Sequence, residues 1–153
     1  MSLQRSILRN TVQGVLHVSA WLARSESRAA VSRRVMGALA LATIRIKGIR
    51  QAKSLNDLGR QWQRGFPSAK QVPVTSVTDT TVYAEIHTPC PLRGTGNVDA
   101  CHRMMEFDRR VVARAGGQFV VLQSQAEAAH TFCRVAMRWA DADVRELVRP
   151  RLP

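Results

Sequence analysis

Leu8, Val12, Val15, Ser19 and Leu22 recur at intervals of three and four residues, and Val35, Leu39, Ala42, Ile46 and Ile49 repeat the rhythm. That spacing keeps one stripe on one side of a 3.6-residue turn, so two amphipathic helices are predicted. SESR at 25–28 separates them, with Ser25 or Ser27 as the cap of the second. A third, shorter helix is predicted from Ser54, where Asp57 follows at capping-box spacing, to about Gly65, just ahead of Pro67. Leu55, Leu58 and Trp62 would form its apolar edge.

At FPSAKQVP (66–73) the period shortens. Val72, Val74 and Val77, then TVYAEIHT (81–88), are β-branched and alternating, with a turn-like TDT between them, and they read as a hairpin. In its second strand Val82, Ala84 and Ile86 share one face, while Tyr83, Glu85 and His87 share the other. A single helix is expected from the N-cap Asn97 to about Arg114, closed by Gly116 and Gly117. QFVVLQSQ (118–125) and TFCRVAMRW (131–139), separated by AEAAH, form a second hairpin. In the last strand Cys133, Val135, Met137 and Trp139 face one way, Arg134 and Arg138 the other. DADVRELV (141–148) reads as a short capped segment. The predicted fold is α+β: N-terminal helices, then a four-stranded antiparallel sheet built as hairpin–helix–hairpin, with helices on one face. The chain of 153 residues reads as one domain, with a basic helical part (1–66), the hairpin–helix–hairpin part (72–139) and a short helical tail (140–153).

Charge changes this picture in one way. Of the formal +12, residues 1–70 carry +11, thirteen Lys/Arg against Glu26 and Asp57, so the basic character belongs to the first half. Such a surface attracts an acidic protein or an anionic membrane surface; nucleic acid is disfavoured, because no interleaved aromatics or reading motif accompany the arginines. A solvated arginine face is the plain alternative. The longest apolar run, VMGALALATI (35–44), is too short to span a bilayer. The first 25 residues hold Arg5, Arg9 and Arg24 without an acid, as transit peptides do and as many ordinary first helices do. Three irregularly spaced cysteines do not describe a disulfide framework, so the chain reads as cytoplasmic.

The chemistry gathers in HTPCPLRGTGNVDACHRM (87–104) and just beyond it. On the helix from Asn97, Cys101, Met104, Met105, Asp108, Val111, Val112 and Ala115 fall on one side. A carboxylate on that apolar stripe needs a partner, and an arginine at the stripe's edge is the structural choice; an orienting or acid–base carboxylate is the functional one. Cys90, between two prolines ahead of a helix N-terminus, is a candidate nucleophile with His87 as its base and loop N–H groups as oxyanion donors. His87, Cys90, Cys101 and Cys133 are alternatively a zinc set, although no C-x2-C or H-x3-H pair is present. Cys133 also reads simply as a small core residue. His102 projects about 100° from Cys101, and His17 and His130 stand alone on the surface.

CP at Cys90–Pro91, ACHRMMEFD at 100–108 and QAEAAHTFCRVAMRW at 125–139 resemble the L-2-amino-thiazoline-4-carboxylic acid hydrolase family over residues 80–140. Members show Glu-Gly before the last cysteine's strand, where this chain has Glu127-Ala128-Ala129, and the turn is expected to differ there. The resemblance implies a hydrolase that opens a cyclic amidine or related C–N or C–S bond. Cys90 would attack, His87 would shuttle the proton and Asp108 would orient it or hold the amidinium. Arg93, Cys101, Glu85 and Met104 would contact the substrate, a small molecule, and no cofactor is required unless zinc is bound. The layered plan is also similar to the vinyl-reductase-type ligand domains, which implies a non-catalytic module binding a small ligand or metal. A second copy of the chain is the remaining partner expectation.

Overall fold

The computed structural model describes residues 2–147, with side chains described from Gln13 onward. Two long antiparallel helices open the chain, α1 (Ser2–Ala23) and α2 (Ala29–Lys47). The side chains of Leu8 and Val12 lie outside the described residues, while Ser19, Ala20 and Ala23 on the inward side of α1 are buried. The join differs from the expected cap. A 3-10 turn occupies Glu26–Arg28, Arg28 holds the N-cap position of α2 without a side-chain bond, and the Ser25 and Ser27 hydroxyls bond each other at 2.8 Å. At the far end Gly48 takes a left-handed turn (φ 59), which its missing Cβ makes inexpensive. Among the described residues no helix is long and apolar enough to cross a membrane.

Helix α3 (Leu55–Gln63) starts as expected, with Ser54 Oγ accepting the Asp57 N–H at 3.2 Å. It buries Leu58 and Trp62 completely. The sheet follows: β1 (Val74–Val77), β2 (Val82–Ile86), β3 (Gly117–Gln123) and β4 (Cys133–Trp139), antiparallel in the order β1-β2-β4-β3. Val72, expected within the first strand, ends a 3-10 turn (Ala69–Gln71) and is buried beside the core instead.

Register explains which face is dry. Val82, Ala84 and Ile86 pair with Met137, Val135 and Cys133, and Phe119 pairs with Met137 from the other side. All of these are buried under α3 and α5. Burying a side chain of this size contributes roughly 1.5–3 kcal/mol, so this face is the core of the fold. Tyr83, Glu85 and His87 point the other way, as the alternation predicts. Arg134 is exposed as expected, but Arg138 is not solvated. Its guanidinium is covered by the tail, donating to Thr81 Oγ1 (2.7 Å), the Asp143 carbonyl and the Glu146 carboxylate. That tail is a 3-10 turn (Arg145–Leu147) started by Asp143; Val148 and the residues after it lie outside the described residues.

The helix expected from Asn97 to Arg114 is two, α4 (Val98–Met104) and α5 (Glu106–Arg114), with a break at Met105 (ψ 5). Asn97 caps the first, accepting the Ala100 N–H at 2.9 Å. The predicted stripe survives the break. Cys101, Met104, Met105, Asp108, Val111, Val112 and Ala115 are all buried.

Candidate functional site

Cys133 opens β4 opposite Ile86, on the dry face of the sheet. Beyond Ile86 the chain leaves the sheet, passes Thr88, Cys90 and Leu92, and enters α4, which brings Cys101 against Cys133. The Cys101 and Cys133 thiols lie close enough to shift each other's ionisation, and the Gln125 backbone N–H points at the Cys133 sulfur at 3.3 Å. The neighbouring Cys101 thiol and the Gln125 N–H hold the Cys133 thiol below its ordinary range despite burial. The Cys101 thiol is pushed up, first by the neighbouring Cys133 sulfur and then by burial.

Asp108 approaches the same layer from α5. It is 6% exposed and accepts the Trp62 indole N–H at 2.9 Å. Burial raises its pKa to about 6, against the Trp62 hydrogen bond, its own backbone N–H and the charge of Arg109. The carboxylate is close enough to Cys133 to oppose ionisation there. The expected arginine partner at the stripe's edge is an indole instead.

Gln125 ties this layer to its roof. Its Nε2 donates to the Ile86 and Thr88 carbonyls, both at 3.1 Å, while Oε1 accepts Arg93 Nε at 2.9 Å. Gly94 and Gly96 donate backbone N–H groups to the Gln125 and Ala126 carbonyls. Leu92, fully buried, plugs the layer from above. Cys90 is half-buried in that roof, its sulfur accepting the Leu92 N–H at 3.4 Å, and burial pushes its thiol up. Thr88 Oγ1 is buried there with no hydrogen-bond partner among the described residues.

The thiol–imidazole pair expected at Cys90 and His87 does not form. A strand alternates its side chains, and His87 falls on the outer face, bonded to Glu85 Oε2 at 2.7 Å and stacked on Phe132 at 4.9 Å. For the same reason His87, Cys90, Cys101 and Cys133 do not surround one centre, and among the described residues no group of three or more His, Cys, Asp or Glu side chains is placed to hold a metal. Glu85 stands with His87, away from the thiols; Arg93 is spent on Gln125 and the Thr131 carbonyl; Met104 is buried on the stripe. His102 is half-buried, His17 exposed and His130 half-buried rather than free on the surface. From the sequence Trp62 is expected only as part of the apolar edge of α3, and Gln125 is not expected in the site at all. Gln125 carried a signal, because it is a polar residue just past an apolar strand in QFVVLQSQ.

The turn at Glu127-Ala128-Ala129 carries one unusual backbone conformation. Ala129 takes the left-handed conformation (φ 67) that a glycine would adopt freely, at a cost on the order of 1 kcal/mol. Comparison of the chain with protein-family models, curated proteins and solved structures finds no match.

Proposed function

We propose that the protein is a small-molecule hydrolase whose chemistry lies at Cys133 and Asp108, opening a cyclic amidine or a related C–N or C–S bond. The observation that carries this reading is a thiol and a carboxyl both buried in the core beneath the helices, Cys133 receiving the Gln125 N–H and Asp108 the Trp62 indole N–H, with burial raising the Asp108 pKa to about 6. A lowered thiol supplies more thiolate at neutral pH, and a carboxyl with a pKa near the working pH is suited to moving protons. The Cys133 thiolate adds to the amidine carbon, and its electrons move onto the ring nitrogen, which takes a proton. The C–S or C–N bond then breaks, and the leaving atom receives a proton by way of Asp108. Water hydrolyses the covalent adduct, returning the thiol. Cys101 holds the Cys133 sulfur, and Cys90 stands in the roof through which a substrate enters as Leu92 is displaced. Thr88 Oγ1 supplies an open hydroxyl to the ligand.

The test is turnover of 2-aminothiazoline-4-carboxylate by the full chain and by Cys133→Ala, Asp108→Asn and Cys90→Ala. The first two are expected to lose at least about a hundredfold, the scale of a lost nucleophile or proton-transfer group, and the third much less. Thermal melts separate lost chemistry from lost folding. Full turnover by a folded Cys133→Ala variant overturns the reading.

One observation favours a second reading, a non-catalytic ligand-binding module. Leu92, Cys101 and Cys133 are all but inaccessible, so the layer is closed as it stands. Iodoacetamide labelling discriminates. A substrate-accessible Cys133 is alkylated in the folded protein, whereas a purely structural thiol reacts only on unfolding.

A further inference from the structure

A cleft lined by basic side chains lies away from the thiols. It has a volume of about 710 Å³, within the range of small-ligand sites, and lies between the C-terminus of α2, the connection to α3, α3 itself and the turn after it. Lys47, Arg50, Arg60 and Arg64 line it, and Asp57 is the one acid among its lining residues. Asp57 is committed elsewhere. Its Oδ2 accepts the Lys53 N–H at 3.1 Å, its Oδ1 accepts Gln61 Nε2 at 3.3 Å, and its own N–H is held by Ser54. Arg50 and Arg60 both approach it only to 3.8 Å, one on each oxygen, with the Arg60 side chain 68% exposed. The buried carboxylate therefore gathers two guanidinium groups at its rim without saturating their donors.

Arg64 contributes differently. It donates to the Lys47 carbonyl at 2.7 Å, which satisfies the last turn of α2 and offsets the negative end of its dipole. Four cations against one carboxylate leave three positive charges facing the cleft. Phe66 adds an apolar wall, fixed edge-on by Trp62 (5.2 Å) and Phe107 (5.9 Å).

From this arrangement we infer that the cleft binds a small molecule carrying two adjacent phosphate groups on an apolar or aromatic body, of the nucleoside diphosphate class. Guanidinium forks match phosphate oxygens in pairs, a diphosphate ester brings close to three negative charges, and the Phe66 wall takes the body. This inference stands on different residues from the thiol chemistry and does not depend on it.

Calorimetric titration of the full chain with ADP, pyrophosphate, orthophosphate and a short single-stranded oligonucleotide tests it. ADP and pyrophosphate are expected to bind saturably at one site, with orthophosphate weaker. Arg50→Gln and Arg60→Gln each weaken both ligands by about tenfold, the loss of one charge-assisted hydrogen bond. Phe66→Ala weakens ADP and leaves pyrophosphate unchanged. Arg34→Gln, on the exposed outer side of α2, changes neither. Absence of saturable binding overturns the inference. So does an equal loss from Arg34→Gln, which would make the attraction a property of net charge. An oligonucleotide that binds more tightly than ADP would assign the cleft to a nucleic-acid backbone and overturn it equally.

Discussion

Asp108 is the residue at which stability and chemistry pull apart. A carboxyl whose pKa rises on folding from 3.8 to about 6 binds its proton more tightly in the folded state. Stability is therefore higher below the unfolded value and falls as pH climbs from about 4 to about 6, after which the loss is constant. Two pKa units correspond to about 3 kcal/mol, sizeable against the 5–15 kcal/mol typical of a whole domain. Asp108→Asn removes the titration while its amide oxygen still accepts the Trp62 N–H. Urea unfolding at pH 4, 5, 6 and 7 should show the wild-type free energy decreasing across that range relative to the variant. The variant should be at least as stable at pH 7. A difference that stays flat with pH would mean the carboxyl titrates normally. Asp57 has the opposite sign. The Lys53 N–H and then Gln61 hold its pKa down, so its contribution is present at neutral pH and lost on acidification. Comparing wild type with Asp108→Asn cancels that background.

Among the elements, α3 packs closely against the end of the sheet. Gly117 starts β3 opposite Trp139, and a Cβ built there lies 2.8 Å from the Arg138 carbonyl and 2.9 Å from Leu58 Cδ2. Leu58 is fully buried on α3 and the carbonyl is backbone, so neither can swing away. Gly117→Ala is expected to cost roughly 1–3 kcal/mol by overpacking, read as a lower denaturation midpoint with an unchanged slope. A neutral result would show that α3 slides freely on the sheet. This helix–sheet contact was partly legible in the sequence. Ser54 with Asp57, the alternation of Val82 to Ile86 and the stripe from Cys101 to Ala115 each obey a local period, and local periods survive folding. Gly117 was legible only as a helix stop, since its role depends on which helix crosses the sheet there. The break at Met105 was invisible for a similar reason: no Pro or Gly marks it, and the stripe continues through it. His87 shows the converse. It continues the outward face of β2, where Glu85 and Phe132 engage it, whereas Cys90 lies in the loop beyond the strand, where strand alternation no longer says which way a side chain points.

At the scale of the molecule, charge is the feature most visible in the sequence, and its consequence depends on packing. The +11 on residues 1–70 is spread over α1, α2, α3 and their connections, and its two acids offer little relief. Glu26 reaches Arg103 only at 3.8 Å and is 93% exposed; Asp57 serves its own loop before it serves Arg50 and Arg60. Closer pairs do occur in the second half, Arg110 with Glu106 at 2.7 Å and Arg145 with Asp143 at 2.7 Å, but both involve exposed side chains. Exposed pairs of this kind contribute about 0–1 kcal/mol each. Like-charge repulsion within the first half therefore outweighs attraction across the surface, and compaction of the chain works against it. Raising ionic strength shortens the Debye length from about 30 Å at 0.01 M to about 8 Å at 0.15 M, which screens the long-range repulsion before it touches the buried Asp108–Trp62 or Arg138–Thr81 bonds. The melting temperature is expected to rise with sodium chloride over that range by a few degrees, on the order of 1 kcal/mol. Phosphate at matched ionic strength should add a further increment, because it also occupies the Arg50–Arg60 cleft, and Arg60→Gln should reduce that increment while reducing the chloride response much less. A melting temperature that falls with chloride would show that the exposed ion pairs, and not repulsion among the arginines, set the electrostatic balance of the fold.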